Sequence, residues 1–271
     1  GDAFKNHVFV SSGDSILKFS APLDATKWQA SDGGGEINVG FPIVAIKPFR
    51  DYLYIFGTTD IKRLEGTNAS DFVVTSITTN LGCLATDSVI EVAGDVLFLS
   101  SDGIRPISGT NKIGDVQLET ISRSVQSLVS AYPRTYGSDN ICSVVVRGKS
   151  QFRYFTWKEN QVSEDAEGLI GCIRLADGGM QWEFGQLRGI SATCADSAYI
   201  GTEEWVVHGD VDGYVYRQEV GGSFNGQPVV SIYQTPWIDL TEPPIRKTGY
   251  KLWTFFQNEG TGRLDIGLSF D

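Results

Sequence analysis

The chain has 271 residues with 20% charged side chains, 31 glycines and 11% aromatics, a mix that suits an ordered β-protein with many tight turns and excludes a disordered tail. Its formal net charge is −11 and its sequence pI is near 4.7, so the dense basic footprint of a stable nucleic-acid binder is missing. No apolar run approaches the ~20 residues that span a bilayer, and the start, GDAFKNHVFVSSGD, has neither the basic nor the long apolar region of a signal peptide.

In chain order, the informative signal is repetition. Three hairpin candidates run His7–Phe19, Asp51–Gly66 and Asp95–Gly109. Each has an apolar strand, a turn rich in Gly and Asp, and a second strand with an apolar pair three apart. The pairs are Ile16 and Phe19, Ile61 and Leu64, and Ile104 and Ile107, with offsets of 45 and then 43 residues. That step suits one four-stranded propeller blade, and it predicts that Ile61 superposes on Ile104 and Leu64 on Ile107. Flanking strands are expected at Val44–Phe49 and Ser88–Val92 before the hairpins, and at Phe72–Ile77 and Val116–Ile121 after them. Tyr52–Phe56 and Val96–Leu99 are nearly continuous apolar runs, as sheets covered on both faces require.

After residue 122 the period loosens. Ser122–Leu128 is the best helix candidate, Ile141–Val146 and Phe152–Trp157 form a hairpin across Arg147–Ser150, and Asn160–Gly168 reads as a polar, mobile loop. Ile170–Leu175 meets Met180–Phe184, and Trp205–His208 meets Tyr214–Arg217 across Asp212-Gly213. From Gln227 the character changes: Pro228–Tyr233, the Pro-rich Thr241–Pro244 and Lys251–Phe256 suggest a separate layer. The expected fold is therefore all-β, with propeller-like repeats of short antiparallel strands over 1–220 and an additional C-terminal β-layer over 221–271. That layer is expected to pack on a further domain or a neighbouring subunit. Strand patterns close to Gly1 and up to Phe270 give both ends the look of cuts through a larger architecture.

Chemistry-bearing motifs are sparse. Cys83, Cys142, Cys172 and Cys194 form no CxxC pair and only His7 and His208 could join them, so buried free thiols are expected and not zinc. Asp210–Tyr214 begins like a calcium loop but does not continue, because Arg217 stands where a ligand would help, and an Asp-Gly turn is the better reading. Gly33–Gly35 lacks the strand and helix of a phosphate loop, and Asn68-Ala-Ser70 matches a glycosylation sequon without a secretory signal. Lys18, Lys27, Lys47 and Arg50 make no dense basic run. Trp157, Trp182, Trp205 and Tyr214 could stack on sugars, but their place inside strand patterns favours packing. No nucleophile has a recognisable base beside it, so the expected catalytic, cofactor and metal sites are none.

The stretch Ala21–Gly109 carries a more specific pattern. Pro-Phe-Arg-Asp-x-Leu-Tyr stands at Pro48–Tyr54, Arg-Leu-x-Gly at Arg63–Gly66, Gly-Cys at Gly82-Cys83, and a Gly-Asp-Val hairpin at Gly94–Arg105. Together these resemble the β-propeller region of nozzle or tail-tube proteins of short-tailed bacteriophages. Gln234–Leu240 with Arg246-Lys247 also fits that family. The resemblance implies a virion structural protein, synthesised in the host cytoplasm and assembled as a ring of its own copies, expected to be a hexamer. It implies contact with portal-adaptor and tail-fibre proteins, non-specific passage of DNA, no cofactor and no catalytic residue. A glycan-binding propeller and a propeller glycosidase are the rival expectations. An aromatic-lined groove would mark the first, and clustered carboxylates at the propeller axis the second.

Overall fold

The computed structural model describes residues 1–110, 120–159, 165–176, 179–224, 226–235, 237, 251–255 and 263–268. They form a mostly β structure of five small antiparallel sheets and one helix, with a two-residue ribbon after the fifth sheet. Every sheet is a meander whose neighbouring strands are consecutive in the chain. The first contains β1 (Asp2–Phe4), β2 (His7–Val10), β3 (Ile16–Phe19) and β4 (Gly35–Asn38). The second contains β5 (Ala45–Phe49), β6 (Tyr52–Phe56), β7 (Ile61–Glu65) and β8 (Val73–Thr78). The third contains β9 (Ile90–Val92), β10 (Asp95–Ser100) and β11 (Gly103–Pro106). The fourth contains β12 (Ile141–Val146), β13 (Gln151–Thr156), β14 (Glu167–Ala176) and β15 (Gly179–Arg188), and the fifth β16 (Ala192–Ile200), β17 (Glu203–Asp210) and β18 (Val215–Arg217).

Tight turns set the register. Between β9 and β10, Val92 pairs with Asp95, and both turn residues, Ala93 (φ 53) and Gly94 (φ 77), are left-handed. That is the backbone a two-residue hairpin needs to match the strand twist. Lys5 (φ 46) and Asn6 (φ 67) do the same between β1 and β2, where Phe4 pairs with His7.

The sheets stack in chain order because their strands alternate two apolar faces. On β6, Leu53 and Ile55 pack with Phe9, Leu17 and Phe19 of the first sheet, while Tyr54 and Phe56 pack with Val96 and Phe98 of the third. On β10, Leu97 and Leu99 then face Phe152 and Tyr154 of the fourth sheet. On β13, Phe155 joins Val206 of the fifth. Each wholly buried Leu or Phe contributes about 1.5–3 kcal/mol relative to an exposed one, so the middle sheets are secured from both sides.

The paired apolar positions follow the repeat on the second sheet and only in part on the third, where Ile107 lies past the end of β11 in a helical turn at Ile107–Thr110. Ile61 and Ile104 both point to the following sheet, and Leu64 and Ile107 to the preceding one. The first hairpin is out of phase. Phe19 faces the second sheet and Ile16 the opposite side, because a longer connection separates Val10 from its partner Lys18 than the four residues between Phe56 and Ile61.

One expectation needs correction. The chain is not wholly β: a 3-10 turn at Arg123–Val125 runs into a helix at Gln126–Tyr136, well past Leu128. Ser130, Tyr132, Pro133 and Thr135 are poor helix formers, yet Val129 and Tyr132 are buried against the third and fourth sheets, and the Tyr132 hydroxyl donates to the Gly168 carbonyl at 3.0 Å. Tertiary packing overrides propensity there. The C-terminal layer is present among the described residues only as the ribbon of β19 (Ser223–Phe224) and β20 (Gln227–Pro228). Residues 229–235, 251–255 and 263–268 lie outside strands, and a strand without a partner cannot satisfy its backbone groups. Most of Val116–Ile121 and of the polar segment from Asn160 falls outside the described residues. Ile121 is described, and its amide donates to the Ile104 carbonyl at 3.0 Å.

Candidate functional site

The first strands of all five sheets converge on one cavity of about 790 Å³. Asp2, Lys47, Ile90, Ser143 and Ala195 line it, one from each of β1, β5, β9, β12 and β16. Asp87 and Asp139 add two more carboxylates from the short helical turns that precede β9 and β12. Polar bonds tie neighbouring first strands together. The Thr86 hydroxyl donates to the Val44 carbonyl at 2.9 Å, Ser143 to the Asp87 carbonyl, and the Cys142 thiol to the Ala192 carbonyl at 3.3 Å.

A second series of contacts links the turns between first and second strands. Lys5 pairs with Asp51 at 3.2 Å, Arg50 donates to the Gly94 carbonyl at 3.1 Å, and Glu204 accepts the Arg147 and Gly148 amides, each at 2.7 Å. Arg50 and Asp51 belong to the Pro48–Tyr54 phrase, which thereby joins three sheets. Asp51 reaches back to the first sheet and Arg50 reaches forward to the third. The Gly82-Cys83 phrase has an equally local cause. A Cβ on Gly82 would lie 2.2 Å from the Gly57 carbonyl oxygen, and the Cys83 amide donates to that same oxygen at 2.8 Å.

His7 and His208 both lie outside the cavity lining. His7 is buried among Phe9, Phe19 and Phe72, with Nδ1 donating to the Ser20 carbonyl at 2.6 Å. His208 stacks against Phe155 and Tyr216, and burial lowers its pKa against the smaller opposing pull of Asp210. Cys142 faces the cavity, but burial, then Cys194, pushes its thiol up to about 12. Burial raises Cys83 to about 11. Thiols of that kind are poor nucleophiles near neutrality.

Arg153, buried under the fifth sheet, donates to Gln218 at 2.6 Å and to Glu219, which also holds Lys149. Burial opposes ionisation of Glu219, but Lys149 and Arg153 outweigh it and hold the carboxyl below its usual range. Among the described residues, no group of three or more His, Cys, Asp and Glu side chains is placed to hold a metal ion, and no helix is long and apolar enough to cross a membrane.

The other singled-out residues resolve locally. Asp210 is an Asx turn, its Oδ1 accepting the Asp212 and Tyr214 amides at 2.9 Å. Asn68 likewise accepts the Ser70 amide at 3.0 Å, and Gly33 (φ 95) ends a 3-10 turn. Trp182 packs on Phe152 with ring centroids 5.5 Å apart, Arg217 lies 3.9 Å over the Trp205 ring, and Tyr214 is exposed. Sequence reasoning misses the cavity because its lining mixes aliphatic residues such as Ile43, Ile46 and Leu84 with polar ones and comes from five separated places in the chain. Comparison of the chain with protein-family models and with curated proteins finds no match.

Proposed function

We propose that this chain is a structural component of a phage tail, a nozzle or tail-tube subunit whose meander sheets are the blades of a β-propeller. The observation that carries the reading is the coincidence of phrase and architecture. The phrases at Pro48–Tyr54 and Gly94–Arg105 cover the equivalent first turns of consecutive sheets and are joined there by Arg50, Gly82-Cys83 lies in the connection between those sheets, and first strands meet at a common cavity. In this reading the propeller is a rigid spacer that positions subunit contacts. Its mechanism is mechanical: copies close head to tail into a ring, and an acidic excess of 33 carboxylates over 22 Lys and Arg disfavours adhesion of passing duplex. The ring, expected as a hexamer, would sit in the virion between a portal adaptor and tail fibres. Native mass measurement and imaging of the assembled protein test this, with a closed cyclic oligomer as the expected result. A strictly monomeric protein in intact particles would defeat the proposal.

A further inference from the structure

We propose that the described stretches 229–233, 251–255 and 263–268 dock on this chain's own body as a sixth sheet, filling the opening between the fifth sheet and the first. Four buried clusters join sheets one to two, two to three, three to four and four to five, and among the described residues none joins five to one. Both flanking faces mix apolar side chains with charged and polar ones, Lys18, Glu36 and Asn38 on the first sheet and Glu203 and Arg217 on the fifth. On the first sheet Val8, Val10 and Ile16 point away from the second and are half-buried, by the pairing of Val8 with Ala3, Val10 with Lys18 and Ile16 with Asn38. On the fifth, Trp205, Val207 and Val215 point away from the fourth, by the pairing of Val207 with Arg217, Trp205 with Ala198 and Val215 with Gly209. Val215 is 75% exposed.

Three observations identify the occupant as this chain's own C-terminal part. Sheets succeed one another in space in chain order, with first strands starting at Asp2, Ala45, Ile90, Ile141 and Ala192, every 43 to 51 residues. The same step from Ala192 reaches 235–243, flanked in the chain by the stretches 229–233 and 251–255. The C-terminal stretches also carry what a covered strand needs: Leu264, Ile266 and Leu268 alternate with Arg263, Asp265 and Gly267, and Val230 and Ile232 flank Ser231. All five of these apolar side chains are more than half exposed here, Ile232 at 86%. Finally, two half-buried faces that carry apolar side chains and one exposed apolar segment on the same molecule can satisfy each other without a second molecule. The inference rests on sheet order and not on the phage reading, which native mass decides separately.

The test uses the full chain and three variants, Ile232→Asp, Leu252→Asp and Ile266→Asp, with thermal unfolding and hydrogen exchange at two protein concentrations. Docking predicts that each variant lowers the melting temperature by at least about 4 °C and speeds exchange in β2, β3, β17 and β18. In the unmodified chain, amides of 229–233 should exchange at least about 100-fold more slowly than free chain. A variant that fails to fold supports docking too, because an Asp at a solvent-exposed position does not unfold a protein. Melting temperatures unchanged within about 1 °C would overturn the proposal. So would protection that disappears on dilution, which would assign the cover to a second copy.

Discussion

Tyr154, wholly buried on β13, donates its phenolic hydrogen to the Ser88 carbonyl at 2.7 Å and so ties the fourth sheet to the third. Ser88 is itself a junction, its hydroxyl donating to Ala85 at 2.6 Å and accepting the Leu99 amide at 3.2 Å. Removing the phenol oxygen leaves a buried carbonyl without its partner, which costs about 1–3 kcal/mol. Tyr154→Phe should therefore lower the unfolding free energy in urea by that amount with an unchanged m-value. A variant as stable as the parent would show that the bond contributes nothing.

Gly82 and Gly94 separate two kinds of glycine. At Gly82 a methyl group would collide with the backbone of Gly57 and Thr58, whereas at Gly94 (φ 77) it would meet nothing within 4 Å. Gly82→Ala should destabilise by more than about 2 kcal/mol, as backbone overpacking does. Gly94→Ala should cost about 1 kcal/mol, the left-handed penalty alone. Equal losses in chemical denaturation would contradict the close approach of the two segments.

Acid should weaken the fold in two stages. His208 has a folded pKa below its ordinary 6.5 because burial disfavours the cation, so its contribution is full above 6.5 and is lost as pH falls toward the folded value. Glu219, and Asp102 beside Arg105, are held below 4.5 and 3.8. Their contribution is full above those ordinary values and is lost as pH falls through the folded pKa values. Melting temperature against pH should decline first below about 6.5 and again below about 4.5, and His208→Gln should flatten only the first decline. A curve of identical shape in that variant would exclude His208.

Cys83 and Cys142 should resist an aromatic disulfide reagent at pH 8 until the protein unfolds. Both are buried and both are held protonated at that pH, with thiols raised to about 11 and about 12. Mass mapping of the labelled sites checks this. Rapid labelling of either would show that the sheets open far more readily than their packing implies.

If the assembled ring conducts DNA, tight phosphate contacts would act as friction. The acidic excess predicts weak binding to duplex at physiological salt, since affinity gained by counterion release needs Lys and Arg on phosphates. A titration of the assembled protein across a salt series measures it. Sub-micromolar affinity with a steep salt slope would require a different mechanism.

How much of the fold is legible in the sequence depends on apolar content. β6, β10, β12 and β13 are read directly from their runs because both faces are covered, which leaves few polar residues to blur them. β16 is not, because Ala192-Thr-Cys-Ala-Asp-Ser-Ala buries small residues, Ala192 and Ser197, against the fourth sheet and shows no apolar alternation. The helix is read only to Leu128, since what extends it is the seating of Val129 and Tyr132 against other elements. Nothing local to Asp2, Lys47 or Ser143 announces a shared cavity, because only the stacking of sheets brings them within reach of one another.

The serial order of the sheets has a consequence for synthesis. Leu97, Leu99 and Ile104 stay wet until residues 141–154 have left the ribosome, just as Tyr54 and Phe56 wait for Val96 and Phe98. A nascent chain of any intermediate length therefore presents one greasy, pleated face with unspent affinity for another sheet. Growth in this manner resembles crystal accretion, where the leading surface is always the reactive one, and crowding on a polysome would favour mispairing between neighbouring chains over any other folding fault.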